Sequence, residues 1–119
     1  METAIVLKAL ADENRLQIIQ LLLQHKHCVR ALARKLSISE AAVSQHLKIL
    51  REAGLVYGVK KGYYTHYCLD KATLKEVIGE LERIYNAERK ICEGKFYGCS
   101  EAEAVGCRSY VPPEKRGEN

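Results

Sequence analysis

ISEAAVSQHLKILREAGLV, residues 38–56, decides how the rest of the chain is read. At about 100° per residue, Val43, Leu47 and Leu50 fall together, with Ala42, His46, Ile49 and Ala53 in the adjoining sector. Ala41, Ser44, Gln45, Lys48, Arg51 and Glu52 collect on the opposite arc. The first arc is a core face. The second is unusual for a helix face that meets only water, because Ser is a weak helix former that competes for backbone hydrogen bonds. Short, uncharged hydrogen-bonding side chains suit a face that meets a partner. Ser39 is a good N-cap for a helix over 40–53, and Gly54 supplies its stop.

Upstream, residues 3–11 predict a short helix with Ile5, Val6, Ala9 and Leu10 on one side. Asp12 or Asn14 caps the next helix, where Leu16, Ile19, Leu22 and Leu23 recur at helical spacing. HKHC, residues 25–28, breaks that run, and His25 and His27 read as solvated residues of a connection. Another short helix turns Val29, Leu32, Ala33 and Leu36 inwards, and Ser37-Ile38-Ser39 is a tight turn. Two helices joined by such a turn form a helix-turn-helix whose second helix can enter a major groove. There Gln and Ser pair with base edges and a methyl meets a thymine methyl, while Ser39 and the positive helix end can meet a phosphate.

Downstream, LVYGVK and YYTHYCLD are β-branched and aromatic runs joined around Lys60-Lys61-Gly62, a hairpin signal. It predicts a wing with Lys60 and Lys61 at its tip, beside Tyr63 and Tyr64, placed over a neighbouring backbone or minor groove. His66 and Cys68 read as ordinary wing-strand residues. Asp70 or Thr73 starts a last helix reaching Glu93, along which Leu74/Leu81, Val77/Ile84/Ile91 and Ile78/Tyr85 repeat at sevens. That period suits a helix-to-helix seam and predicts a homodimer. The fold class is therefore mostly α with a small β-hairpin: four helices, a two-stranded wing and a C-terminal dimerisation helix. Residues 1–93 form the DNA-binding and dimerisation domain, and 94–119 a cysteine-containing tail.

Bulk properties agree. The 119 residues suit one domain, and the formal charge of +4 leans towards anionic partners. The first residues lack the basic start of a signal peptide, and no apolar run reaches the roughly 18 residues of a membrane span, so a cytoplasmic protein is expected. No phosphate loop, HExxH-like motif or nucleophile–base pair supports an enzyme; a small thiol enzyme or metal carrier is the weakest reading.

On ALADENRLQIIQLLL, CVRALARKLSISEAAVSQHLKILREAGLV and GYYTHYCL, the chain resembles the ArsR/SmtB family of winged-helix repressors over roughly residues 4–85. The resemblance implies a homodimer that binds a palindromic operator in double-stranded DNA and leaves it when an inducer binds. It places Ser39, Ala42, Ser44, Gln45 and Lys48 at recognition-helix positions and Lys60 and Lys61 on the wing, with His46 packing inwards. The chain departs from the family where the inducer is read. A Cys-Val-Cys motif of family metal sensors stands here as Cys28-Val29-Arg30, and the last helix, DKATLKEVIGELERIYNAERK, has none of the histidines of the zinc and nickel sensors.

Five cysteines in such a chain suggest thiols, metal ligands or redox work. Cys92, Cys99 and Cys107 follow one another through a glycine-broken segment. Three thiolates can hold arsenite, antimonite or another thiophilic ion in a pyramid. The alternatives are a thiol-based redox or reactive-sulfur sensor, or cysteines without a ligand. Cys92 also extends the Ile78/Tyr85 stripe, so packing at the seam is open to it, and Cys28 could join the tail cysteines across a dimer.

Overall fold

The computed structural model describes residues 2–87. Its elements run α1 (Thr3–Leu10), α2 (Glu13–Gln24), β1 (His27–Cys28), α3 (Val29–Leu36), α4 (Glu40–Glu52), β2 (Val56–Lys61), β3 (Tyr64–Leu69) and α5 (Lys71–Asn86). One core joins them, with Val6 and Ala9 of α1, Ile18, Ile19 and Leu22 of α2, Leu32 and Ala33 of α3, Val43, Leu47 and Leu50 of α4, then Leu55, Val56 and Val77.

Asp12, not Asn14, caps α2, its Oδ2 accepting from the Arg15 N–H at 3.0 Å. That bond, ahead of the Arg15 charge, holds the Asp12 carboxyl below the usual carboxylate range. The inward face of α2 differs from the predicted one. Ile18 and Leu22, one turn apart, are buried with Ile19, whereas Leu16 and Leu23 stay 46% and 48% exposed on the flank. The turn after α3 is made by Ser37 in the left-handed region, at φ 57°, ψ 42°, and the Ile38 N–H returns to the Ala33 carbonyl at 3.2 Å. At the end of α4, Gly54 takes φ 80°. Its N–H bonds the Arg51 carbonyl and the Leu55 N–H the Leu50 carbonyl, both at 2.9 Å, and buried Leu50 and Leu55 close this helix stop.

The sheet holds one strand more than the two-stranded wing expected from sequence. In the order β1-β3-β2, His27 pairs with Tyr67 and Cys28 with His66, antiparallel. HKHC is thus not a plain loop, and His27 is only 3% exposed. Its ring stacks on His25 with centroids 4.2 Å apart, and its Nδ1–H donates to the His25 carbonyl at 2.8 Å. Nε2 stays buried without a partner, and burial pushes the His27 imidazole below its usual range. Lys60 and Lys61 stand at the tip end of the wing, just before the turn. They end β2, opposite Thr65 and Tyr64, and the turn falls on Gly62-Tyr63, where Gly62 supplies φ 64°.

Asp70 starts α5, its Oδ1 accepting from the Ala72 N–H at 3.1 Å; Thr73 lies inside the helix. The helix stops at Asn86, and Ile91 and the rest of the expected stretch to Glu93 lie outside the described residues. Val77 turns into the core instead of the predicted seam, while Ile78, Leu81, Ile84 and Tyr85 are exposed. Among the described residues, no helix is long and apolar enough to cross a membrane.

Candidate nucleic-acid interface

The first turn of α4 is fixed by Ser39. With extended backbone at φ −71°, ψ 155°, its Oγ accepts from the Ala42 N–H at 3.0 Å, which satisfies one of the donors a helix start leaves open. From that start, the helical period sends Val43, Leu47 and Leu50 into the core, each no more than 1% exposed. Ala41, Ser44, Gln45, Lys48, Arg51 and Glu52 are all exposed, as the sequence pattern predicts, and Ala42 is half-buried at the edge of the arc. Ile49, placed in the inner sector from sequence, is 40% exposed. The outer arc therefore offers one small hydroxyl, Ser44, the Gln45 amide and then two cations, Lys48 and Arg51, with Glu40 as the acidic residue of the first turn.

Around this helix lie further cations that the sequence reading left aside. Arg30, Arg34 and Lys35 of α3 are exposed, the latter two in its last turn. A cleft of about 220 Å³ separates the starts of α3 and α4 from the wing, with Arg30, Glu40, Tyr63 and Tyr64 among its walls. Tyr63 stands fully exposed on the turn, next to Lys61 and Gly62. The periodicity of α3 was visible in sequence; its basic outer edge needed the helix-turn-helix geometry to gain meaning.

His46 points inwards, its side chain 18% exposed. Arg15 reaches it from α2, Nη1 lying 3.3 Å from His46 Nδ1. Sequence reasoning placed His46 correctly in the packing sector but had no signal for Arg15.

The cysteines divide. Cys28 begins α3 beside the cleft and Cys68 sits on β3; both are free, half-buried thiols. Among the described residues, no three His, Cys, Asp or Glu side chains come together as a metal site. Cys28 is followed by Val29 and the exposed Arg30, so the start of α3 brings one thiol and a cation where a pair of thiols would be needed. Cys92, Cys99 and Cys107 lie outside the described residues.

Residues 12–57, which span α2 to the first residues of β2, match the bacterial regulatory protein ArsR family. The transcriptional activator HlyU of Vibrio cholerae is 39% identical over 84 residues, covering 71% of this chain and 78% of HlyU. The chain belongs to the ArsR family. Its members are transcriptional regulators and not enzymes, and this chain is a DNA-binding transcriptional regulator. The arsenical resistance operon repressor of Escherichia coli is 36% identical, covering 73% of this chain and 86% of its own. A Mycobacterium bovis domain, described as a homodimeric winged helix-turn-helix DNA-binding domain, superposes with a TM-score of 0.59 at 29% identity, over 71% of this chain and 81% of that one. The relatives thus include both an activator and a repressor.

Proposed function

We propose that this regulator is a cytoplasmic repressor that binds a palindromic operator as a homodimer and leaves it on binding an inducer. The observation that carries the reading is the division of α4. Val43, Leu47 and Leu50 are fully committed to the core, whereas Ser44, Gln45 and Lys48 stand free on the other side of the same helix. Ser39 and Ala42 present the helix start to a phosphate and a base edge, Ser44 and Gln45 read bases, and Lys48 with Lys60 and Lys61 holds the backbone. The unpartnered stripe of Ile78, Leu81, Ile84 and Tyr85 on α5 supplies the dimer seam. Two-fold symmetry of the dimer demands an operator of matching symmetry. Residues 1–93 act as the DNA-binding and dimerising unit, and 94–119 as the tail that carries the sensor.

The inducer in this reading is trivalent arsenic or antimony, or another soft metal, held by the thiolates of Cys92, Cys99 and Cys107. The single thiol at the start of α3 argues for the tail as ligand source. Release requires that the ion bind the form off DNA more tightly than the form on it. The half-buried free thiols Cys28 and Cys68 favour a second reading, in which thiol oxidation supplies the signal.

The test is a titration of reduced protein, bound to a duplex it has selected from a random-sequence pool, with arsenite, antimonite, cadmium and zinc. Thiolate absorbance and duplex release are followed together, in wild type and with Cys92, Cys99 and Cys107 each changed to serine. Stoichiometric binding coupled to release, and lost in any one variant, is the expected result. Release by oxidant alone would replace the metalloid reading with the redox one, and selection of no duplex would end the operator reading.

A further inference from the structure

One guanidinium ties three helices together. Arg15 belongs to the first turn of α2, where its own N–H completes the Asp12 cap. Its Nε donates to the Ala9 carbonyl at 2.6 Å, near the end of α1, and one Nη lies 3.5 Å from the Lys8 carbonyl, which also accepts from the Ala11 N–H. The other Nη is 3.3 Å from His46 Nδ1, in the middle of α4. Because a guanidinium has no acceptor, Nδ1 of His46 must accept, which puts the ring proton on Nε2. Asp12 Oδ2 stands 3.8 Å from the same Nδ1, beyond hydrogen-bond reach, and already accepts from the Arg15 N–H. The neutral imidazole is therefore held by the arginine, not by the carboxylate.

We propose that Arg15 and His46 are positioning residues for operator reading, setting the rotation of α4 about its own axis. The inference rests on the operator reading proposed above. The inward face of α4 is made of Val43, Leu47 and Leu50, and apolar packing is non-directional. Close packing of such a face limits rotation, but it supplies no directional bond of its own. A hydrogen bond weakens steeply as it bends, and this one acts on the residue next to Gln45 and two before Lys48. Anchored to the end of α1 and the start of α2, it fixes the pitch at which Ser44, Gln45 and Lys48 face a groove.

The experiment measures affinity of the full chain for a duplex that wild type selects from a random-sequence pool and for an unrelated duplex of the same length. His46→Leu is expected to lower affinity for the selected duplex about ten-fold, the scale of one hydrogen bond to a charged group. Affinity for the unrelated duplex, set by phosphate charge, should stay within about two-fold. His46→Gln, whose Oε1 can accept from Arg15, should restore most of the loss. Arg15→Met should match His46→Leu, and the double variant should lose no more than either alone. Thermal unfolding and sedimentation identify any variant that is misfolded, and Arg15→Met then probes the contact from its other side. Equal loss on both duplexes, strictly additive losses, or no rescue by glutamine would overturn the inference while leaving the operator reading intact. A wild-type chain that selects no duplex overturns both.

Discussion

Replacing Lys60 and Lys61 by glutamine, singly and together, measures how the wing meets a duplex. The two are adjacent on β2 and pair with Thr65 and Tyr64, so the pleat sends their side chains to opposite faces of the sheet. Lys60 shares its face with the buried Val56; Lys61 shares its face with Tyr57 and Val59, which are 49% and 37% exposed. A lysine that touches one phosphate per protomer makes two contacts per dimer, worth about 1.8 in the slope of log affinity against log salt concentration. Over the rise from about 50 to about 200 mM NaCl, that slope amounts to roughly a twelve-fold difference in the affinity lost. Fluorescence anisotropy of a labelled selected duplex across a salt series gives the slope directly. The double variant should be shallower by about 1.8 if one face is turned to the backbone, and by about 3.6 if both lysines reach it. The single variants then identify the face. Slopes unchanged from wild type in all three variants, with the dimer intact, would refute a role for the wing lysines in phosphate contact.

Leu81→Glu with Ile84→Glu places charge on side chains that are 44% and 66% exposed; sedimentation should show a folded monomer with no measurable affinity for the selected duplex. An alanine at Gly58 would set its Cβ 2.8 Å from Thr65 Cγ2 and 3.4 Å from Tyr67 Cε1. Gly58→Ala should therefore cost about 1–3 kcal/mol, read as a lower Tm, and Thr65→Ser, which removes that methyl, should recover much of it. His27 titrates below its usual range because it is buried, so as pH falls through about 6.5 the unfolded chain takes the proton first and stability declines. The decline is at most about 1.4 kcal/mol per pH unit for this one group and flattens below the folded value. Urea midpoints between pH 8 and 5, wild type minus His27→Phe, should isolate it; no difference in pH dependence would rule it out.

The helix-turn-helix was legible because its signals are local. Ser39, the Val43–Leu47–Leu50 spacing and Gly54 lie within one short segment, and each carries its own geometric consequence. The wing was legible for the same reason: Gly62 falls in the turn, which takes in Tyr63 where the sequence pattern suggested the two lysines. Strand β1 was not, because two residues show no period and are extended only by pairing with β3. The burial of His27 follows from that pairing, so it was hidden too. The face of α2 was misjudged because four leucines and two isoleucines compete for it, and only packing against α1, α3, α4 and β3 selects Ile18, Ile19 and Leu22. Arg15 left no trace at all: its acceptors are two main-chain carbonyls and a histidine 31 residues away.

The strand order gives Lys60 and Lys61 a second consequence. Among the described strands, β2 is an outer strand of the sheet, with β3 on one side only, and after Val56 all of its residues are exposed. Its free main-chain groups, flanked by Tyr57 and Val59, form a template on which another chain could add a strand. Two adjacent cations at the end of that template put charge on the open edge, which disfavours pairing with another strand, and most strongly with a second copy aligned in parallel. When no nucleic acid is near, the wing's charge thus works as a guard against self-association, and a wing stripped of it would be a starting point for aggregation.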